Sequence, residues 1–420
     1  IGYLALQDNT SGDGNVAMGY KALNENTTAD TNVAIGYEAL KVNTTGTDNT
    51  AVGYKALNSN TTANDNSAFG DIALQDNTTG HSNNAFGAGA LANNTTGAQN
   101  AAFGTGCLFL NTTGNYNTAL GHSALESNTA SNNTAVGQGA LYANTTGENN
   151  TAVGDRCLDA ATEADDNTGL GFKALTSNTG GHSNTGIGKD ALYANTTGIQ
   201  NTAVGKGAMN AMTTGNSSTA VGKHALYQAT GNANTALGEY AGGAITTGTD
   251  NICIGKNAGG ITTGVHNIII GADYTVGDQS NLIAFNNSSQ TVSCSAGAGS
   301  WSFSSDGRDK TDINDLTLGL GFINKLTPRK FRWDYRDKTR FPEGWEDNPD
   351  MLIKAGFIAQ EVQEVLKEEN AEYTAIVPDK DPDKLQVSST GMIPMLVKAV
   401  QELSAQNEAL VARITALESN

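Results

Sequence analysis

Positive charge is scarce in this 420-residue chain. Lys and Arg number 24 against 42 Asp and Glu, giving a net charge of −18. Only nine of those cations fall before residue 300. Such a balance argues against nucleic acid as a partner, because phosphate binding needs cations that displace counterions. Long apolar runs are missing too. No 18 consecutive apolar residues occur, so neither a transmembrane helix nor membrane insertion is expected. The five histidines form no cluster, and the four cysteines show no C-x-x-C spacing. Without such spacing there is no metal or redox motif, and no cofactor is expected. A starting methionine is also lacking. The chain opens in mid-repeat at Ile1, which implies further sequence upstream.

What is there is a beat. Glycine recurs every 17 residues at Gly2, Gly19, Gly36, Gly53, Gly70, Gly87, Gly104 and Gly121. After a one-residue slip it resumes at Gly137, Gly154, Gly171, Gly188, Gly205 and Gly222, then at Gly238, Gly255 and Gly271. A fixed short period signifies identical coils stacked into a rod. A large apolar residue precedes each glycine (Met18, Ile35, Val52, Phe69) and a leucine follows four residues later (Leu23, Leu40, Leu57, Leu74). Apolar residues do not recur at i, i+3, i+4 and i+7, and the N-T-T-G segments are turn formers. The unit therefore reads as short strand, turn, short strand, turn. Cys107, Cys157 and Cys253 occupy Ala positions of the repeat and read as small buried substitutes, whereas Cys294 lies outside the pattern and receives no role.

Equivalent residues of stacked coils stand about 4.8 Å apart, so the shaft should run to about 75–80 Å. At that spacing Asn15, Asn32, Asn49 and Asn66 form a ladder of amides, and Asn9, Asn26, Asn43, Asn60 and Asn77 form a second. Two large apolar residues per coil make a thin core. Three chains about one axis would thicken it and cover exposed edges. The Asn-x-Thr triplets match glycosylation acceptors but also follow from the repeat. Rows such as Thr44 and Thr61 could order water or ice. Tyr20, Tyr37 and Tyr54 could contact sugars or simply cover strand surface.

The stretches Asn15-Val16-Ala17-Met18-Gly19 and Asn32-Val33-Ala34-Ile35-Gly36 resemble the head repeats of trimeric autotransporter adhesins. That resemblance implies a parallel β-roll, or β-solenoid, in each subunit of a trimer over residues 1–271. The expected fold is mostly β, with a small α+β domain at the C-terminus.

Beyond Gly271 the beat dissolves, and residues 272–304 read as a distal tip and link. Next comes Ser305-Asp306-Gly307-Arg308-Asp309-Lys310. A serine beside a desolvated lysine can form a nucleophile–base pair. On a helix, positions five apart point about 140° from each other, so the two would meet only if the chain turns, as Gly307 permits. The alternative is an exposed turn in which Asp306 or Asp309 merely pairs with Arg308 and Lys310.

Three segments in order resemble the intramolecular chaperone of phage tail spikes and endosialidases, peptidase family S74. They are Ser305–Ile313, Gly356-Phe357-Ile358-Ala359-Gln360-Glu361-Val362 and Met395–Leu403. The resemblance implies that Ser305 attacks the carbonyl of Ser304 with Lys310 as general base. The chain would then be cut between Ser304 and Ser305. It also implies a chaperone and autoprotease body over residues 305–394. Residues 395–420 form a C-terminal helix in which Leu396, Leu403, Leu410 and Leu417 recur every seven. With Val400, Asn407 and Ile414 interleaved, they make an a/d seam suited to a coiled coil, against the alternative of a helix packed on its own domain. The expectation is a homotrimeric phage tail fibre or spike, located on the virion tail, that attaches to a host-surface glycan or protein receptor. The alternative is a bacterial cell-surface adhesin with a trimerisation domain that does not cut. An ice-binding rod is the third reading.

Overall fold

The computed structural model describes residues 1–286, 291–295, 302–303, 313–331, 354–371, 376–377, 385, 387–388 and 390–419. The chain divides into two compact units, Ile1–Ser305 and Asp306–Asn420.

The first unit is a parallel β-solenoid. Sixteen strands of three residues, β1 (Val16–Met18) through β16 (Ile268–Ile270), follow one another in chain order, one per coil. Each pairs in parallel with the next, so that Val33 faces Thr50, Ala34 faces Ala51 and Ile35 faces Val52. The slip in the beat leaves this register intact, with Thr118 facing Thr134. It is absorbed at an outer corner instead. Asn128 Nδ2 donates to Ala130 O two residues on, where Asn111 reaches Gly114 O three residues on.

The expected second strand does not form. The leg after each glycine runs as consecutive turns, with Lys55 (φ 53°) and Leu57 (φ 50°) in the left-handed region. Left-handed residues redirect the backbone N–H groups, so successive ones bond to opposite neighbours. Lys55 N–H donates to Tyr37 O of the preceding coil, and Leu57 N–H to Ala73 O of the following one. The leg is thus tied to both neighbouring coils by hydrogen bonds without being a strand. Gly53, at φ 144°, opens it because backbone approaches backbone there: a Cβ would stand 2.1 Å from Gly70 O.

The core is thinner than the sequence implies. Of the two large apolar residues per coil only the leucine is inside, as Leu23, Leu40 and Leu57 show no exposure. On the strand the middle Ala (Ala34, Ala51, Ala68) points inward, and the residue before the glycine points out. Met18 is 47% exposed and Leu120 50%. Strand side chains alternate, so a coil this tight must choose which one to bury. With Leu entering from the opposite leg, only a residue as small as Ala or Gly (Gly169, Gly186) fits beneath it.

Both asparagine rows form the expected ladders. In the first, Asn49 N–H and Nδ2 donate to Asn32 Oδ1 at 3.0 and 3.2 Å. In the second, Asn43 Nδ2 donates to Asn26 Oδ1 at 3.1 Å and to Gly46 O at 2.9 Å. Asn32 Nδ2 also donates to Gly46 O, so one corner carbonyl ties both rows together. Cys107, Cys157 and Cys253 are buried free thiols, each pushed up to about 12 by desolvation.

The shaft ends in an antiparallel meander. β17 (Leu282–Asn286) continues parallel to β16, β18 (Thr291–Ser295) turns back on it, and β19 (Ser302–Phe303) pairs with β18. Cys294 lies in β18. Where the corner hydrogen bonds would lack a further coil, Asp278 supplies the acceptor. Its carboxylate takes the Thr262, Thr263 and Gly264 N–H groups at 3.2, 2.7 and 2.8 Å and the Thr263 hydroxyl besides. These donors hold its acid well below the usual carboxylate range, the Thr263 hydroxyl foremost.

Candidate functional site

The second unit is built around α1 (Leu320–Lys325), α2 (Ala359–Glu368) and α3 (Ile393–Glu418). A two-stranded antiparallel ribbon joins them, β20 (Arg329–Phe331) with β21 (Lys354–Gly356). Leu318, Phe322, Val362, Leu366, Met392 and Met395 meet in its core. The Gly356–Val362 segment makes the joint between β21 and α2, and its residues divide the work. Val362 enters the core while Glu361 grips Arg329 of β20 through two bonds of 3.0 and 2.8 Å. That forked geometry fixes helix against ribbon. A further clasp joins α1 to α3: Glu402 Oε2 accepts from Leu320 N–H at 2.7 Å, at the positive end of α1. Gly319 leaves room for it, since a Cβ would lie 2.4 Å from Glu402.

Along α3 the two possible uses of the helix separate cleanly. Met395 and Ala399 pack inward, and the leucine seam faces away. Leu396, Leu403 and Leu410 are exposed, as are Val400, Asn407, Ile414 and Leu417. From Leu403 onward every described residue of α3 is exposed, so this half of the helix packs on nothing in its own domain. An apolar row of this kind in water calls for a partner helix.

A second outward row runs along the shaft. The residue before the glycine is apolar in every coil from Met18 to Ile270, and each of them is half-buried or exposed. Phe69, Phe86 and Phe103 stack within it at 4.7 and 4.9 Å. Sequence reasoning counted this row as core. Its direction is set by the inward Ala, which only the packing reveals.

Ser304, Ser305 and Lys310 lie outside the described residues. β19 ends one residue before Ser304, and the boundary between the two compact units falls at Ser305. Among the described residues no group of His, Cys, Asp and Glu is placed to hold a metal, and no helix is long and apolar enough to cross a membrane.

Comparison with known proteins yields one match. Residues 305–370 match the family Peptidase_S74, described as the chaperone of endosialidase. The matched segment opens on Ser305 and runs through α1, the ribbon and α2 to the end of that helix. The chain therefore carries a chaperone-of-endosialidase domain, of a self-cleaving peptidase type, behind a repeat β-solenoid shaft. This arrangement fits the tail-fibre or endosialidase type of architecture. No curated protein and no solved structure matches the chain.

The remaining surface readings change with the geometry. Acceptor asparagines such as Asn43 and Asn60 are wholly buried, so the folded shaft does not offer them for glycosylation. Thr44 and Thr61 hydroxyls donate to Thr61 O and Thr78 O of the next coil at 3.0 and 3.3 Å, which spends the donors an ice lattice would need. Tyr3, Tyr20, Tyr37 and Tyr54 stack on one another at 5.1–5.9 Å, turning edges rather than faces outward.

Proposed function

We propose that this chain is one subunit of a homotrimeric phage tail fibre or spike whose C-terminal domain aligns three chains and then cuts itself away. The single observation that carries the reading is the start of the family match at Ser305, two residues after the end of β19. Two apolar rows, one along the shaft and one along α3, support the trimer. Parallel coils with long-range pairing form slowly, and their open edges invite misregistration. A helical clamp at the C-terminus sets three chains in phase before the coils wind.

In the cut, neutral Lys310 takes the Ser305 hydroxyl proton as Oγ attacks the Ser304 carbonyl carbon. The Ser304–Ser305 peptide bond breaks, the Ser305 amine leaves with the proton from Lys310, and an ester joins Ser304 to Ser305 Oγ. Water then hydrolyses the ester, freeing a shaft that ends at Ser304. With the clamp gone, an unfolded shaft has no means to realign, so the product is kinetically trapped. The freed rod serves host-surface attachment on the virion tail. A bacterial surface adhesin with an uncut clamp is the competing reading, and one gel separates them. The tail-fibre reading expects a fragment whose N-terminal sequence begins Ser305-Asp306-Gly307, absent in Ser305→Ala and Lys310→Ala. An intact wild-type chain, or a fragment that persists in both variants, contradicts it.

A further inference from the structure

Helix α3 is anchored by one short stripe. Met395, Ala399 and Glu402 follow one another at helical spacing on its inward face. Glu402 is the last residue of the helix that is not exposed. Beyond it the helix from Leu403 to Glu418 runs roughly 24 Å without support from its own domain. Motion of so long an arm bears on the point where it leaves the domain, and that point is the Glu402 carboxylate.

What Glu402 holds is the start of α1. That helix has six residues, too few to stand alone. Its N-cap is Gly319, which has no side chain to satisfy the first N–H groups. The cap comes from α3 instead: Glu402 Oε2 accepts the Leu320 N–H at 2.7 Å, and Lys398 Nζ stands 3.9 Å from Oε1. Leu318 and Phe322, on either side of this bond in sequence, are buried with Met392 and Met395 of η5 and α3. A methyl group at Gly319 would strike both carboxylate oxygens, so the recess admits Glu402 only beside a glycine. Each end of the bond leads somewhere. α1 is the first helix after Ser305, and Leu320 stands fifteen residues beyond that serine. Val400 and Leu403, within two residues of Glu402, belong to the outward seam. Partner helices seated on the seam therefore grip α3 at the clasp itself and still the arm.

Resting on the reading of this domain as a self-cutting clamp, we infer that Glu402 is a positioning residue that makes the cut await assembly. In a lone chain the swinging arm opens the clasp, and α1 loses the cap on its first turn. In assembled chains the clasp stays shut, and α1 anchors the chain that leads back to Ser305. Glu402 takes no part in the bond chemistry; it acts through α1.

Cell-free synthesis of the full chain tests this, with the fraction cut followed on SDS gels after initiation is stopped. Glu402→Gln weakens the clasp by removing its charge, and Gly319→Ala expels the carboxylate without altering α3. Each should release the fragment about tenfold more slowly than the parent, the factor expected for one partly exposed charge-assisted bond. Rates are compared at concentrations where the same variants carrying Ser305→Ala scatter light with the parental mass. A clasp that served folding or association alone would leave the parental rate there. The Gly319→Ala, Glu402→Gln double variant should be no slower than the slower single one, because both break the same bond. A Leu403→Lys, Leu410→Lys chain that scatters as a monomer should remain uncut. Parental rates in both single variants, multiplied losses in the double one, or prompt cutting by the monomer overturns the inference and spares the self-cutting reading. A parent that yields no fragment beginning at Ser305 removes that reading, and the inference with it.

Discussion

Replacing Ala161 by Asn should stabilise the shaft, although it buries a polar side chain in the core. The second asparagine row runs from Asn9 to Asn144, is interrupted by Ala161, and resumes at Asn178 and Asn195 before Met212 ends it. At the interruption Asn144 Oδ1 is buried with no hydrogen-bond partner. Asn178 Nδ2 keeps its bond to Gly181 O at 2.8 Å, but the side-chain acceptor its counterparts find in the coil before is missing. An asparagine at 161 would donate to Asn144 Oδ1 and to Ala164 O and would accept from Asn178 Nδ2. Three bonds at a net ~0.5–1.5 kcal/mol each, set against the ordering of one side chain, leave roughly 1–3 kcal/mol. Met212→Asn is the contrasting case. It would partner the equally orphaned Asn195 Oδ1, but Ala229 follows, so the new amide oxygen would itself be stranded. Buried apolar volume would also be lost, and a net destabilisation of roughly 1–3 kcal/mol is expected. Because each coil touches only its neighbours, the effect should stay local. Amide hydrogen exchange over residues 144–178 should slow about tenfold for each 1.4 kcal/mol gained, while Met212→Asn speeds exchange around residue 212. Unchanged or faster exchange in Ala161→Asn would refute the ladder as a source of stability.

Two further outcomes follow from the ends of the chain. Asp278 has a folded acid constant below its unfolded value of about 3.9, so its contribution is complete above that pH and is lost as pH falls toward the folded value. Exchange of the Thr262–Gly264 amides should therefore accelerate below about pH 4 relative to mid-shaft amides, and Asp278→Asn should show the fast rate at neutral pH. At the other unit, Leu403→Lys and Leu410→Lys place charge in the outward seam of α3 and should leave the domain folded but its chains apart, as read by sedimentation. A variant that stays associated would remove the seam from assembly.

Much of this was legible in the sequence, because a repeat multiplies every local signal. The period fixed the coil, and recurrence of Asn at two phases fixed both ladders. The facing of the strand was not legible. Thr-Ala-Val alternates whichever side is buried, and only the leucine entering from the other leg decides that Ala51 goes in and Val52 out. Nor was the left-handed leg, since Lys55 and Leu57 at positive φ carry no residue signal of the kind glycine gives. In the C-terminal unit the heptad seam announced itself, whereas the Glu402 clasp joins positions 82 residues apart that no local pattern connects.

The account rests on three chains held in phase through two outward apolar rows. Light scattering on purified, uncut Ser305→Ala chain tests this most directly. The expected mass is about 130 kDa, three times the 43.3 kDa of one chain. A single species at 43.3 kDa would contradict the account.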